Sequence, residues 1–384
     1  MASIARTRTG WRARWRTPEG ASRSKNFKRK LDAERFLTNV ESSKLAGGYV
    51  DPAAGRVTFA AFADAWLACQ TFDASTHEAV ASRLHAHLLP TLGNVELGQI
   101  RPSTVQAWLR GRQERCAPRH VRLMLANLSA ILGAAVEDGI IARNPCSSRA
   151  VRPPAVEQDK VIPWAAEQVA AVIDAHPRRW RAAPVLAAGC GLRQGEVFGL
   201  WVEDVDFLRH RLLVRHQVKL LHGRPVIAPP KGRKTREVPL PEVVSVAVAE
   251  HLRLYPPLDG LVFTTRERGL TSRSYYNPHI WKAALRTAGV DPTRANGMHA
   301  LRHFYASVQL EAGTSIRALA EYLGHTDPGF TLRVYTHLMP SSADRARQAV
   351  DDALSKTLEA ASCVTPVSRG GPSRAKPQVK GLQR

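Results

Sequence analysis

The sequence predicts a multidomain chain: a small α+β unit, an all-α unit, and a larger mixed, mainly-α unit with a small antiparallel sheet. Three observations carry this expectation. At 384 residues the chain exceeds what one hydrophobic core usually accommodates. Apolar periodicity changes along it, from period two at the N-terminus to helical spacing and then to a mixture of both. A proline-rich stretch without periodicity, ARNPCSSRAVRPPAVEQDKVIP at 142–163, reads as a linker between the second unit and the third.

Residues 1–50 make the first unit. Trp11, Ala13 and Trp15 alternate with Arg12, Arg14 and Arg16, which predicts a strand with one aromatic and one cationic face. Pro18-Glu19-Gly20 reads as a hairpin turn, and a second strand carries Lys25, Phe27 and Arg29. Ala33, Phe36, Leu37 and Val40 then fall at helical spacing. A small sheet backed by one helix, with arginines on its open face, suits a DNA groove. Arg12, Arg14, Arg16 and Lys25 are the candidate contacts, and a solvated cationic strand is the simpler alternative.

Residues 57–150 read as all-helical. Phe59, Phe62, Trp66 and Leu67 form one apolar stripe, Val105, Trp108 and Leu109 another, and Val121, Leu125, Leu128, Ile131, Leu132 and Val136 a third. Core packing accounts for all three. Arg83, Arg119 and Arg122 suit either DNA or solvent.

Residues 160–350 are mixed. Helical patterns cover 165–188, 193–202, 242–254, 277–289, 299–312, 316–323, 329–338 and 342–360, with strands at 212–214, 225–227 and 237–240. The tail at 362–384, rich in Pro, Gly, Ser and basic residues, is expected to be disordered.

The charge balance narrows the partners. Fifty-five Lys and Arg against 33 Asp and Glu leave a formal +22, which favours a polyanion, with strongly salt-dependent binding. No run of about 18 apolar residues predicts a membrane span. The N-terminus lacks the apolar stretch of a signal peptide, which points to the cytoplasm. The cysteines Cys69, Cys116, Cys146, Cys190 and Cys363 are scattered, against both a disulfide framework and a zinc knuckle.

The chemistry rests on an ordered set: Arg193, Lys231, His299, Arg302 and His325, followed by Tyr335. Their contexts are GLRQGE, PPKGRKTREVPL, GMHALRHFYA and YLGHTDPGFTLRVYTH. A phenol with a pKa of about 10 needs a base or nearby positive charge to act as a nucleophile. His299 and Arg302, three apart on a helix, share a face and are placed to offer both. Attack on a phosphodiester builds charge on the non-bridging oxygens, which two arginines grip bidentately. Lys231, in a turn between strands, is placed to protonate the leaving oxygen, with Lys234 in reserve. Glu196 is placed to hold Arg193 or His299. His303 follows His299 by four, but HALRH lacks the glutamate of a zinc-protease helix. No carboxylate cluster suited to Mg²⁺ is evident, so neither metal nor other cofactor is expected.

These motifs resemble those of the tyrosine recombinases, the phage-integrase family, most strongly over about 160–340. VEDGIIARNP resembles the end of that family's helical core-DNA-binding domain, and GWRARWRTPEG with FKRKLDAERFL its small arm-site-binding domain. The resemblance implies Arg193, Lys231, His299, Arg302 and His325 as the catalytic set, Glu196 as the accompanying acid and Tyr335 as the nucleophile that forms a 3′-phosphotyrosine. It implies site-specific DNA recombination that integrates or excises a phage or mobile element without metal or ATP. A homotetramer on core and arm attachment sites is implied as well, with a directionality factor and a host DNA-bending protein as possible partners. A catalytically inactive integrase-like regulator and a type IB topoisomerase-like enzyme remain the alternatives.

Overall fold

The computed structural model describes residues 2–18, 20–45, 49–51, 53–156, 161–257, 259–336, 347–348 and 350–355. Strands β1 (Ser3–Thr7), β2 (Gly10–Arg16) and β3 (Ser22–Phe27) form an antiparallel sheet in that order. Helix α1 (Lys30–Leu45) packs on it, burying Ala33, Leu37 and Val40 against Ala13 and Trp15. The alternation along β2 thus has the expected sides. The register differs from expectation at Lys25, however. It lies opposite Ala13, while Arg12, Arg14 and Arg16 lie opposite Asn26, Ser24 and Ser22. Cross-strand partners share a face, so Lys25 is on the helix side, its Nζ 5.0 Å from the Phe36 ring and 5.5 Å from that of Phe27. Strand β1 is an edge strand without an apolar alternation, and the sequence pattern did not reveal it.

The second unit is helical: α2 (Phe59–Ala68), α3 (Ala74–Arg83), a π turn at Leu84–Leu88, α4 (Leu89–Leu92), α5 (Pro102–Gln113) and α6 (Pro118–Glu137). Thr58 caps α2 and Asp73 caps α3, each side chain accepting from first-turn backbone N–H groups. The three predicted stripes meet in one core. Much of the expected linker is tied down: Val151 is buried in that core, the Arg152 N–H donates to Gln106 and Arg122 donates to the Pro154 carbonyl. Arg83 donates to Asn127. No helix among the described residues is long and apolar enough to cross a membrane.

The third unit begins at α7 (Ala166–Asp174), α8 (Ala182–Cys190) and α9 (Gln194–Phe198). Strands β4 (Val205–Asp206), β5 (Arg211–Val214), β6 (Gln217–Leu221), β7 (Arg224–Ala228) and β8 (Arg236–Pro239) follow. The expected single small sheet is two sheets: β4-β5-β8, and a separate β6–β7 hairpin. His222 and Gly223 turn that hairpin with φ of 48° and 74°, the left-handed pair a two-residue turn requires. Then come α10 (Glu242–Leu254), α11 (Arg273–Tyr276), α12 (Lys282–Thr287), α13 (His299–Glu311), α14 (Ile316–Leu323) and α15 (Pro328–Tyr335). A π turn at Asn277–Trp281 joins α11 to α12. A large core holds α7 to α10 together with the sheet, and a smaller one gathers Tyr305, Leu319, Leu323 and Tyr335.

The second and third units touch where Lys219 of β6 meets Asp73 at 3.3 Å and the His222 N–H donates to Glu78. Of the expected last helix, residues 347–348 and 350–355 are helical. The rest of it, Cys363 and the tail at 362–384 lie outside the described residues.

Candidate active site

Helix α8 ends at Gly191, whose φ is +63°, a conformation glycine adopts without strain. A Cβ there would also come within 2.5 Å of the Tyr305 ring. This abrupt stop turns the chain so that Arg193 caps α9. The Arg193 backbone N–H donates to Glu196 Oε2 at 2.8 Å, and its guanidinium donates to Oε1 at 2.9 Å.

Glu196 is buried and does more than hold Arg193. Arg236 of β8, also buried, donates to both of its oxygens at 3.0 and 2.7 Å and to the Tyr322 carbonyl. Burial alone would raise the carboxyl pKa. The Arg236 hydrogen bonds and charge, with the charges of Arg193 and Arg302, overcome it and bring the value to about 2.

Arg302, on the first turn of α13, is fully buried, while His299 at the helix start opens to solvent. Arg302 donates to the carbonyls of Gly191 and Leu323 and lies 3.1 Å from His325 Nε2. Burial and the Arg193 charge lower its pKa to about 9, so it stays charged at neutral pH. Because Arg302 can only donate, His325 Nε2 accepts, and its Nδ1 then carries the proton donated to Thr331 at 2.7 Å. Gly324, with φ of +62°, ends α14 and presents its carbonyl to Arg193 at 3.4 Å. The LGH turn therefore holds both arginines, Arg193 through the Gly324 carbonyl and Arg302 through Leu323 and His325.

Tyr335, the last residue of α15, is 1% exposed. Its hydroxyl lies 2.7 Å from His303 Nδ1. Burial raises the phenol to about 12, against the charges of Arg302 and Arg193. Crowding by protein and nearby cations hold His299 and His303 at about 4 and His325 at about 3, so all three are neutral at pH 7.

Lys231 and Lys234 are both exposed and line one cleft of about 480 Å³ with Arg236, Arg317 and His325. The structure thus brings together Arg193, Glu196, His299, Arg302, His325 and Tyr335, with Lys231 at the adjoining cleft. The arginines of β2 belong to the separate N-terminal sheet. Among the described residues no three His, Cys, Asp or Glu side chains converge as a metal site.

Two participants stand outside the expected catalytic set. Arg236 had a signal: alternation along β8 puts it on the same face as buried Val238, and a cation on a core face demands a partner. His303 had only its spacing from His299.

The chain resembles known proteins in sequence and in fold. Residues 164–341 match the phage integrase family, and residues 59–150 match the phage integrase central domain. The integrase of Mycobacterium phage D29 is 25% identical over 325 residues, covering 80% of this chain and 84% of that protein. A XerC-like tyrosine recombinase of Caldanaerobacter subterraneus is 29% identical over 253 residues, 59% of this chain and 64% of the relative. In fold, the chain matches the Tn1549 transposon integrase, solved in complex with a circular intermediate DNA. The TM-score is 0.67 at 19% identity, covering 77% of this chain and 99% of that one. A lambda integrase tetramer bound to a Holliday junction matches with a TM-score of 0.55 at 16% identity, over 88% and 95% of the two chains.

Proposed function

Because the chain belongs to the phage integrase family of tyrosine recombinases, enzymes that cleave and rejoin DNA, we propose that Tyr335 is its nucleophile. Its oxygen attacks a scissile phosphate, forms a 3′-phosphotyrosine and releases a 5′ hydroxyl. A 5′ hydroxyl of the partner duplex then attacks that linkage. The phosphotyrosine retains the bond's free energy, so rejoining needs no ATP.

Arg193 and Arg302 take the non-bridging oxygens, their forks already oriented by Glu196, Gly191 and Leu323. Preorganised donors of this kind are each worth about 10²–10³ in rate. His299, open to solvent, donates to the phosphate, while His325, engaged by Thr331 on one nitrogen and Arg302 on the other, holds Arg302 in place for it. Lys231 protonates the departing 5′ oxygen. The reading rests on one observation: a phenol shut away from water beside two arginines, in a protein with an excess of cations.

On this reading residues 1–50 bind arm sites through Arg12, Arg14 and Arg16, residues 57–150 bind the core site, residues 160–350 perform the chemistry, and the 362–384 tail adds basic charge. Four protomers hold two duplexes and exchange strands through a Holliday junction, as the lambda integrase tetramer was captured on one. A directionality factor and a host DNA-bending protein would choose between integration and excision.

The test is a set of nicked duplexes tiled across the DNA flanking the gene. A covalent protein–DNA adduct, absent in Tyr335→Phe, is expected. Binding without adduct would mean an inactive regulator. Relaxation of any supercoiled plasmid without joining of two sites would mean a topoisomerase.

A further inference from the structure

We infer that His303 is the catalytic base that takes the proton from Tyr335, the task that sequence spacing assigned to His299. The inference rests on the proposed role of Tyr335 and deepens it. Among the described hydrogen bonds, the phenol's partner is His303 Nδ1 at 2.7 Å. The 1% exposure of Tyr335 removes bulk water as an alternative. His299 stands edge-on to His303, ring centroids 4.6 Å apart, and no bond from it to the phenol is among the described hydrogen bonds. Both nitrogens of His325 are engaged, by Arg302 and Thr331. Lys231 lines the adjoining cleft with Lys234 and Arg236.

The groups facing His303 are His299 and Arg302 from its own helix and Tyr335 from α15. Cys190 of α8 and Tyr322 of α14, packed near the same helix, act on Tyr305 instead. Without DNA, burial and Arg302 keep the imidazole neutral, so Nδ1 can accept while Nε2 holds its proton. As the Tyr335 O–H bond breaks, its proton moves to Nδ1 and the phenolic oxygen bonds to phosphorus. The P–O5′ bond breaks, and O5′ takes a proton from Lys231. Rejoining reverses each transfer. The imidazolium formed beside Arg302 is stabilised by the negative charge that phosphate brings, so the base gains strength only when DNA is loaded.

The experiment is single-turnover adduct formation on a nicked suicide duplex as a function of pH. Wild type, His303→Ala, His303→Asn and His299→Asn are compared. Asparagine at 303 can still accept the phenol's hydrogen bond but cannot take its proton. The expected result is a loss of about 10²–10⁴ in both His303 variants, with the acidic limb of the wild-type profile gone. Fluorinated tyrosine at 335, a stronger acid, should restore much of that loss. Melting temperature and duplex affinity report the fold; if the alanine variant melts early, the asparagine variant carries the test. A wild-type profile in His303→Asn, or an acidic limb lost in His299→Asn instead, overturns the assignment. So does a deficit that fluorotyrosine leaves untouched. Absence of adduct in the wild type would refute the role of Tyr335 itself, a separate failure.

Discussion

Arg236 holds the Glu196 carboxylate with both prongs of its guanidinium, at 2.7 and 3.0 Å, and that carboxylate in turn fixes Arg193 at 2.9 Å. One buried anion therefore aligns a cation on each side. Removing one partner from a buried ion pair typically costs about 3–5 kcal/mol, because the other is stranded. Glu196→Gln is expected to lower the melting temperature accordingly. Arg236→Lys keeps the charge but loses the fork and the bond to Tyr322. Adduct formation should fall roughly 10–100-fold, part of the loss seen when a preorganised donor is removed outright. Duplex affinity should barely change, and gel-shift titration beside a single-turnover assay separates the two.

Acid should weaken the fold in two windows. His299, His303 and His325 have folded pKa values of about 4, 4 and 3, below the ordinary 6.5. The unfolded chain therefore binds more protons, and stability present above pH 6.5 is lost as pH falls towards 3. Glu196, at about 2 against 4.5, contributes stability present above pH 4.5 and lost below it. Urea midpoints at pH 7, 5.5 and 4.5 should decline steadily, and the first part of the decline should flatten in His→Asn variants.

Lys231 and Lys234 share one cleft, so chemistry must separate them. Lys231→Ala should slow cleavage by about 10²–10⁴, as loss of a general acid does. A substrate with sulfur in place of the leaving 5′ oxygen should recover most of that rate, since a thiolate departs without a proton. Lys234→Ala should show neither effect, and rescue of Lys234→Ala alone would reverse the assignment.

The register of the N-terminal sheet separates its cations. Arg14 and Arg16 are exposed on the open face, while Lys25 lies over Phe36. Arg14→Ala and Arg16→Ala should each flatten the salt dependence of duplex binding by about one unit of log–log slope. Lys25→Ala should leave that slope unchanged and cost about 0.5–1 kcal/mol of stability through its lost aromatic contact. Affinity at several salt concentrations, with melting curves, checks both.

How far the sequence was legible follows from the range of the interactions involved. Arg193, His299, Arg302, His325 and Tyr335 stand in local motifs, so spacing and chemistry exposed them. Arg236 pairs with a residue forty positions earlier, and His303 meets Tyr335 thirty-two positions later. No local period records such meetings. No strand was expected at 217–221, so 225–227 read as part of a single sheet, whereas the turn at His222-Gly223 pairs β7 with β6. The alternation that turns Phe27 toward the helix turns Lys25 there too, and only its charge had grouped it with the arginines.

The contact between Lys219 and Asp73 is an exposed one, with 27% and 46% of the two side chains open to solvent. Such a pair contributes about 0–1 kcal/mol and weakens with salt. The His222 N–H bond to Glu78 beside it is exposed too. If the second and third units close on DNA as proposed, contacts of this kind would part at modest cost and admit a duplex from the side. A clamp that opened there would have no free DNA end to thread and would accept a covalently closed circle.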